Sequence, residues 1–290
     1  METPEFLNEK GWLFPSSAYL KCIKKERVER TASADAITAR NLLYSLKKVS
    51  LGVSPYHYRF FCLWQLLGLY ARNCKVEYTG LQNIKQDIPK VFVMKHRGFA
   101  DITLHGFGYA WATSGLPLID YNPFENLLKT REVIAKGKPS RFLMKEDLLS
   151  LPIGYHLVVN GGIPILQDHE TKTLNNPGYD MNDPKVQKKI KKMSTWFSFK
   201  NSYREILNVL NNNDSIMIYG EATRVSGDKM GHLSTKFLKR LSKVKNVEFI
   251  PVGSIWTDTT KKINYGAACE IEALRDNIAE LSDISKEDYL

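Results

Sequence analysis

The chain has 290 residues, enough for one large domain or two small ones with a substantial core. Hydrophobic residues make up 43% of it and charged residues 25%, a balance that excludes wholesale disorder. The formal net charge of +10 points to an anionic partner (nucleic acid, an anionic membrane surface or a phosphorylated ligand) without choosing among them.

The chain up to about Asn73 reads as helical, with turns near Pro15 and Pro55. No basic stretch, apolar core and cleavage site open it, so no secretory signal is expected. Residues 60–71, "FFCLWQLLGLYA", form the most apolar run. They fall short of the about 20 residues a spanning helix needs, yet are too apolar all round for an ordinary surface helix. They suit either a buried helix or one lying in a bilayer interface, with Trp64 and Tyr70 at the headgroups.

From Val76 short β-type runs alternate with helical stretches. Strands are expected at residues 91–94, 142–144, 163–166, 215–219 and 247–252. Helices are expected at residues 101–113, closed by Gly115 and Pro117, and around Tyr203, Ile206, Leu207 and Leu210. A further helix has Phe237, Leu241 and Val244 on one face. This alternation predicts an α/β fold with a mixed, largely parallel sheet flanked by helices. Residues 171–192 are polar and turn-rich at first and read as an excursion from the sheet. Pro251 interrupts an apolar run, which marks a strand edge or end. Cys22, Cys62, Cys74 and Cys269 are scattered, without C-x-x-C pairing, and read as reduced structural thiols.

The chemistry-bearing stretch is "MKHRGFADIT", residues 94–103. On a continuous helix, positions five apart lie about 140° from each other. His96 and Asp101 therefore meet only if His96 lies before the helix and Asp101 in its first turn, with Gly98 as the bend. The carboxylate then orients the imidazole as a general base. Backbone N–H groups of the turn are candidates for a developing oxyanion. The competing reading is that the two residues merely share a loop. A second candidate turn, "YGEATR", follows the strand at 215–219 and offers Glu221, Thr223 and Arg224. In an α/β sheet, functional groups gather beyond the carboxyl ends of strands. An arginine there suits phosphate or carboxylate recognition, although a salt-bridged surface turn has the same residues. His57, His105, His156, His169 and His232 have no evident partner and are read as core or surface residues.

Four blocks in order, across about residues 75–255, resemble the glycerophospholipid acyltransferase superfamily, which includes lysophosphatidate and glycerol-3-phosphate acyltransferases. His96-Arg97-Gly98-Phe99-Ala100-Asp101 is similar to its His-x-x-x-x-Asp block. Gly162-Ile163-Pro164-Ile165 is similar to its glycine-plus-strand block. Tyr219-Gly220-Glu221-Ala222-Thr223-Arg224 is similar to its Phe-Pro-Glu-Gly-Thr-Arg block, and Ile250-Pro251-Val252 to its apolar-Pro-apolar strand. The preceding "CKVEYTGLQNI" resembles the family's lead-in strand and turn. Three departures stand out: Gly220 and Ala222 replace Pro and Gly, Gly98 replaces a serine, and Gln167, followed by Asp168, stands where an arginine often binds an acceptor phosphate.

The resemblance implies transfer of a fatty acyl group from a thioester, acyl-CoA or acyl carrier protein, to a hydroxyl of a lysophospholipid or glycerol phosphate. His96 would be the base and Asp101 its orienter. Arg97, Gly162, Glu221, Ala222, Thr223 and Arg224 would bind substrate. No bound cofactor is required. The residues agree in offering no metal-ligand cluster and no G-x-S-x-G nucleophile elbow. Residues 1–74 would be an N-terminal helical, membrane-associating segment and residues 75–290 the acyltransferase domain. The expected place is the cytoplasmic face of a membrane, as a peripheral or monotopic protein.

Lys185, Lys188, Lys189 and Lys192 flank Val186, Ile190 and Met193. Lys236, Lys239, Arg240 and Lys243 line the outer side of the helix carrying Phe237 and Leu241. Such stripes suit anionic lipid headgroups or an acidic carrier protein, or are solvated faces. No nucleic-acid motif accompanies them, and nucleic acid is not an expected partner. The alternative function is a non-catalytic lipid- or anion-binding protein on a decayed acyltransferase fold.

Overall fold

The computed structural model describes residues 63, 66, 74–98, 100–118, 127–145, 157, 161–165, 184, 199–221 and 229–289. Several expectations fall outside them: residues 171–192 but for Pro184, with the first basic stripe, Gln167, Asp168, Ala222, Thr223 and Arg224. Of residues 60–71 two are described, Leu63 and Leu66, both helical. Among the described residues no helix is long and apolar enough to cross a membrane.

The chain divides into two compact units, residues 1–53 with 144–203, and residues 54–143 with 204–290. The second holds β1 (Lys75–Thr79), β2 (Lys90–Met94), most of β3 (Arg141–Lys145), β5 (Ile216–Tyr219), β6 (Glu248–Trp256) and β7 (Thr260–Tyr265). Its strands lie in the order β1-β7-β6-β2-β5-β3. β6 and β7 are antiparallel, whereas β1–β7, β2–β6, β2–β5 and β3–β5 are parallel. The fold is thus α/β with a mixed, mostly parallel sheet, as the sequence predicts. β4 (Gly162–Ile165) belongs to the first unit.

β2 is central because four of its five residues are large and apolar. Val91, Phe92, Val93 and Met94 are fully buried, the continuous apolar run of an interior parallel strand. Its two faces meet different layers, since side chains alternate along a strand. Phe92 packs edge-on against His105 and Tyr109 of helix α1 (Ala100–Thr113) and against Tyr265 of β7. Val93 and Pro251, paired in register, face the other way. On that side a Cβ at Gly253 would meet the backbone of Leu281 at 2.3 Å, so helix α5 (Leu274–Leu281) lies close on β6. The described residues also form helices α2 (Leu127–Lys136), α3 (Phe199–Asn211) and α4 (Thr235–Leu241).

Three sequence expectations need correction. β6 runs on to Trp256, because from Val252 it gains a second, antiparallel partner in β7. Pro251 lies inside this interior strand. Its carbonyl accepts from Gly266 N–H at 2.9 Å, so its ring nitrogen faces away from β2, beyond the end of β7, where no ladder donor is needed. In α4 the buried face is Leu238 and Leu241; Phe237 is half-buried, and Val244 lies past the helix end. Lys236, Lys239, Arg240 and Lys243 are exposed, with Lys239 paired to Glu272 at 2.8 Å. β7, α2 and α5 have no counterpart among the expected elements.

Candidate active site

β2, β5 and the first half of β6 run parallel, so their carboxyl ends share one edge of the sheet. His96 lies two residues past β2, Glu221 two past β5, and Trp256 ends β6. Lys95, His96, Arg97 and Gly98 follow the apolar run of β2 directly, and the chain leaves the sheet there.

The next four residues turn back onto α1. Asp101 N–H donates to Gly98 O at 3.2 Å, closing the turn. Asp101 sits in the first turn of α1, where the helix dipole favours an anion. Its side chain is fully buried, and one oxygen serves the whole turn. Oδ2 accepts from Arg97 N–H and Gly98 N–H, both at 2.8 Å, and lies 3.1 Å from His96 Nδ1. A carboxylate is acceptor-only, so this contact requires Nδ1–H and leaves the lone pair on Nε2. The His96 side chain remains 22% exposed while the Asp101 side chain is sealed from solvent. Because both N–H groups bind Asp101, they are not open to an oxyanion as the sequence suggested.

Tyr219 stacks on the imidazole, with ring centroids 4.0 Å apart and planes 28° from parallel. The imidazole is thus fixed at Nδ1 and on one face. Gly98 is glycine for a steric reason: its φ is outside the left-handed region, but a Cβ there would lie 2.7 Å from the Trp256 ring. The expected role as a flexible bend gives way to close approach. Gly220 is similar, since a Cβ would meet Leu233 at 2.7 Å and Val93 at 2.8 Å.

Glu221, third residue of the Tyr219–Arg224 block, is buried. Its Oε1 lies 3.7 Å from Lys95 Nζ, with both side chains sealed from solvent, and accepts from Gly231 N–H at 2.6 Å. Arg97 sends Nη2 toward Ser282 O, 3.4 Å away at the end of α5. Gly162 opens β4 in the other compact unit, where a Cβ would meet Met144 Sδ at 2.6 Å and Leu157 O at 2.8 Å. Ala222, Thr223 and Arg224 lie outside the described residues.

Lys95, Tyr219 and Trp256 are the neighbours that sequence reasoning passed over. A signal existed for one: a lysine directly after four buried apolar residues needs an anionic partner, and Glu221 follows a neighbouring strand. Among the described residues no group of three His, Cys, Asp or Glu side chains is placed to hold a metal ion.

No family model matches the chain, and no curated protein matches it by sequence. Among solved structures it is similar to the crystal structure of the 1-acyl-sn-glycerophosphate (LPA) acyltransferase PlsC from Thermotoga maritima. The identity is 14%, covering 82% of this chain and 84% of that one, with a TM-score of 0.46.

Proposed function

We propose that this chain is an acyltransferase that moves a fatty acyl group from a thioester to a hydroxyl, with His96 as general base. The observation that carries this reading is the His96–Asp101 contact of 3.1 Å at the carboxyl end of a central parallel strand. Nε2 removes the proton of the acceptor hydroxyl as its oxygen attacks the thioester carbonyl. The C–S bond breaks, the imidazolium returns the proton to the thiolate, and an ester and a free thiol leave. Asp101 keeps the ring in the needed tautomer and stabilises the imidazolium.

The donor is acyl-CoA or acyl carrier protein; the acceptor is a lysophospholipid or glycerol phosphate. Arg97, Gly162, Ala222, Thr223 and Arg224 are assigned to substrate by their places in the four blocks. The exposed Lys236, Arg240 and Lys243 suit the anionic headgroups of a membrane or an acidic carrier protein. Residues 1–74 are the membrane-associating part, on the cytoplasmic face.

The test is free thiol released from acyl-CoA and acyl-carrier donors against glycerol-3-phosphate, lysophospholipids and amino-lipids. Thiol release that needs both an acceptor and His96 supports the reading. Full activity in His96→Ala, or no release with any pair, defeats it.

A further inference from the structure

Lys95 immediately precedes His96 and is fully buried. Its ammonium pairs with Glu221, 3.7 Å away, and donates to the carbonyl of Lys229. Glu221 in turn accepts from Gly231 N–H. A methionine would fill the same space with no charge to desolvate, so a buried ammonium is a poor way to gain stability. What it supplies instead is direction.

Residues 229–231 are fixed from behind. Met230 N–H donates to Asp288 O at 3.0 Å, and Met230 O accepts from Arg275 at 3.2 Å. Lys95 and Glu221 both attach to this anchor. Asp101 organises the turn internally, because its bonds reach His96, Arg97 and Gly98 alone among the described residues. Turn and helix start could therefore shift together without breaking one of them. The lysine ties that unit to the end of β5, where Tyr219 stacks on the imidazole.

We propose that Lys95 and Glu221 are positioning residues. Their buried pair sets where the His96 imidazole stands over the end of β5, and so the rate of proton transfer, without touching substrate. This rests on His96 being the base. It gives Glu221 a task other than the substrate contact its block implies.

The double variant K95M/E221Q removes both charges and leaves no lone buried ion. Its kcat for thiol release is expected to fall about 30- to 100-fold, the scale of an ångström of misplacement. KM for donor and acceptor should stay within about threefold, since no binding contact is removed. Parental kcat in the folded double variant, or a loss confined to KM, overturns the proposal. Should the double variant not fold, E221Q alone reads the same split. Amide hydrogen exchange judges the tether without catalysis: Gly231, whose N–H Glu221 holds, should exchange about tenfold faster in E221Q, while Arg97 and Gly98 stay protected by Asp101. Unchanged exchange at Gly231 overturns the tether; absence of thiol release from the parent overturns the proposed function instead.

Discussion

His96 and His105 sit at the two ends of one short path, before α1 and in its second turn, and their surroundings are opposite. His96 keeps part of its ring at the surface and has a carboxylate on Nδ1. His105 is sealed among Phe92, Tyr109 and Tyr265, with Ser140 Oγ 3.1 Å from Nε2 and the Tyr265 hydroxyl 3.3 Å from Nδ1. Hydroxyls can satisfy either tautomer but cannot balance a positive charge. Burial pushes the His105 pKa down to about 3, so its ring stays neutral. The same side chain is part-exposed beside a carboxylate at one place, and sealed among hydroxyls and kept neutral at the other. The difference lies in one carboxylate and one opening to water.

The strongest way to break this comparison is His96→Ala. With His96 as the proposed base, its loss should lower kcat by about 10³- to 10⁴-fold. Asp101 keeps two backbone donors, so the thermal unfolding midpoint should barely move. A midpoint that collapses with activity would make His96 structural. Next is Lys95→Met, which strands Glu221 as a buried charge. It should cost about 3–5 kcal/mol in urea unfolding, most of it restored by adding Glu221→Gln. Gly98→Ser forces its side chain against Trp256, and such overpacking should cost about 1–3 kcal/mol. Trp256→Leu in the same chain should relieve it.

A change of pH sharpens the other half. The folded-state pKa of His105 is depressed from 6.5 to about 3, so between these values the unfolded chain binds more protons. The stability due to this group is complete above pH 6.5 and is lost as pH falls toward 3, by at most about 1.4 kcal/mol per pH unit. His105→Gln should flatten the acid side of the unfolding profile relative to the parent. An equal slope in both would mean that His105 is not the group responsible.

The sheet was legible where burial is complete. β2 and β5 show as uninterrupted apolar runs, and α1 is bounded by Gly115 and Pro117. β7 was not, because "TKKINY" has half-exposed Thr260, Lys261 and Lys262 and turns apolar only at Ile263. Among the residues whose burial is described, α2 buries Thr130, Val133 and Ile134, and α5 buries Leu274, Ile278 and Ala279. Their patterns are brief against a polar background. At the site, the His96–Asp101 spacing could be read locally because one turn makes the contact. Lys95–Glu221, His96–Tyr219 and Gly98–Trp256 join residues far apart in the chain, and pairing between strands decides them.

The close approach of Gly98 to the Trp256 ring makes the two positions one choice. A side chain at 98 and a broad ring at 256 compete for the same space. Substituted singly, each position will look intolerant. Varied together in a combinatorial library, they should yield functional pairs that no single-site scan would find, and an inventory of such pairs would map the room beside His96.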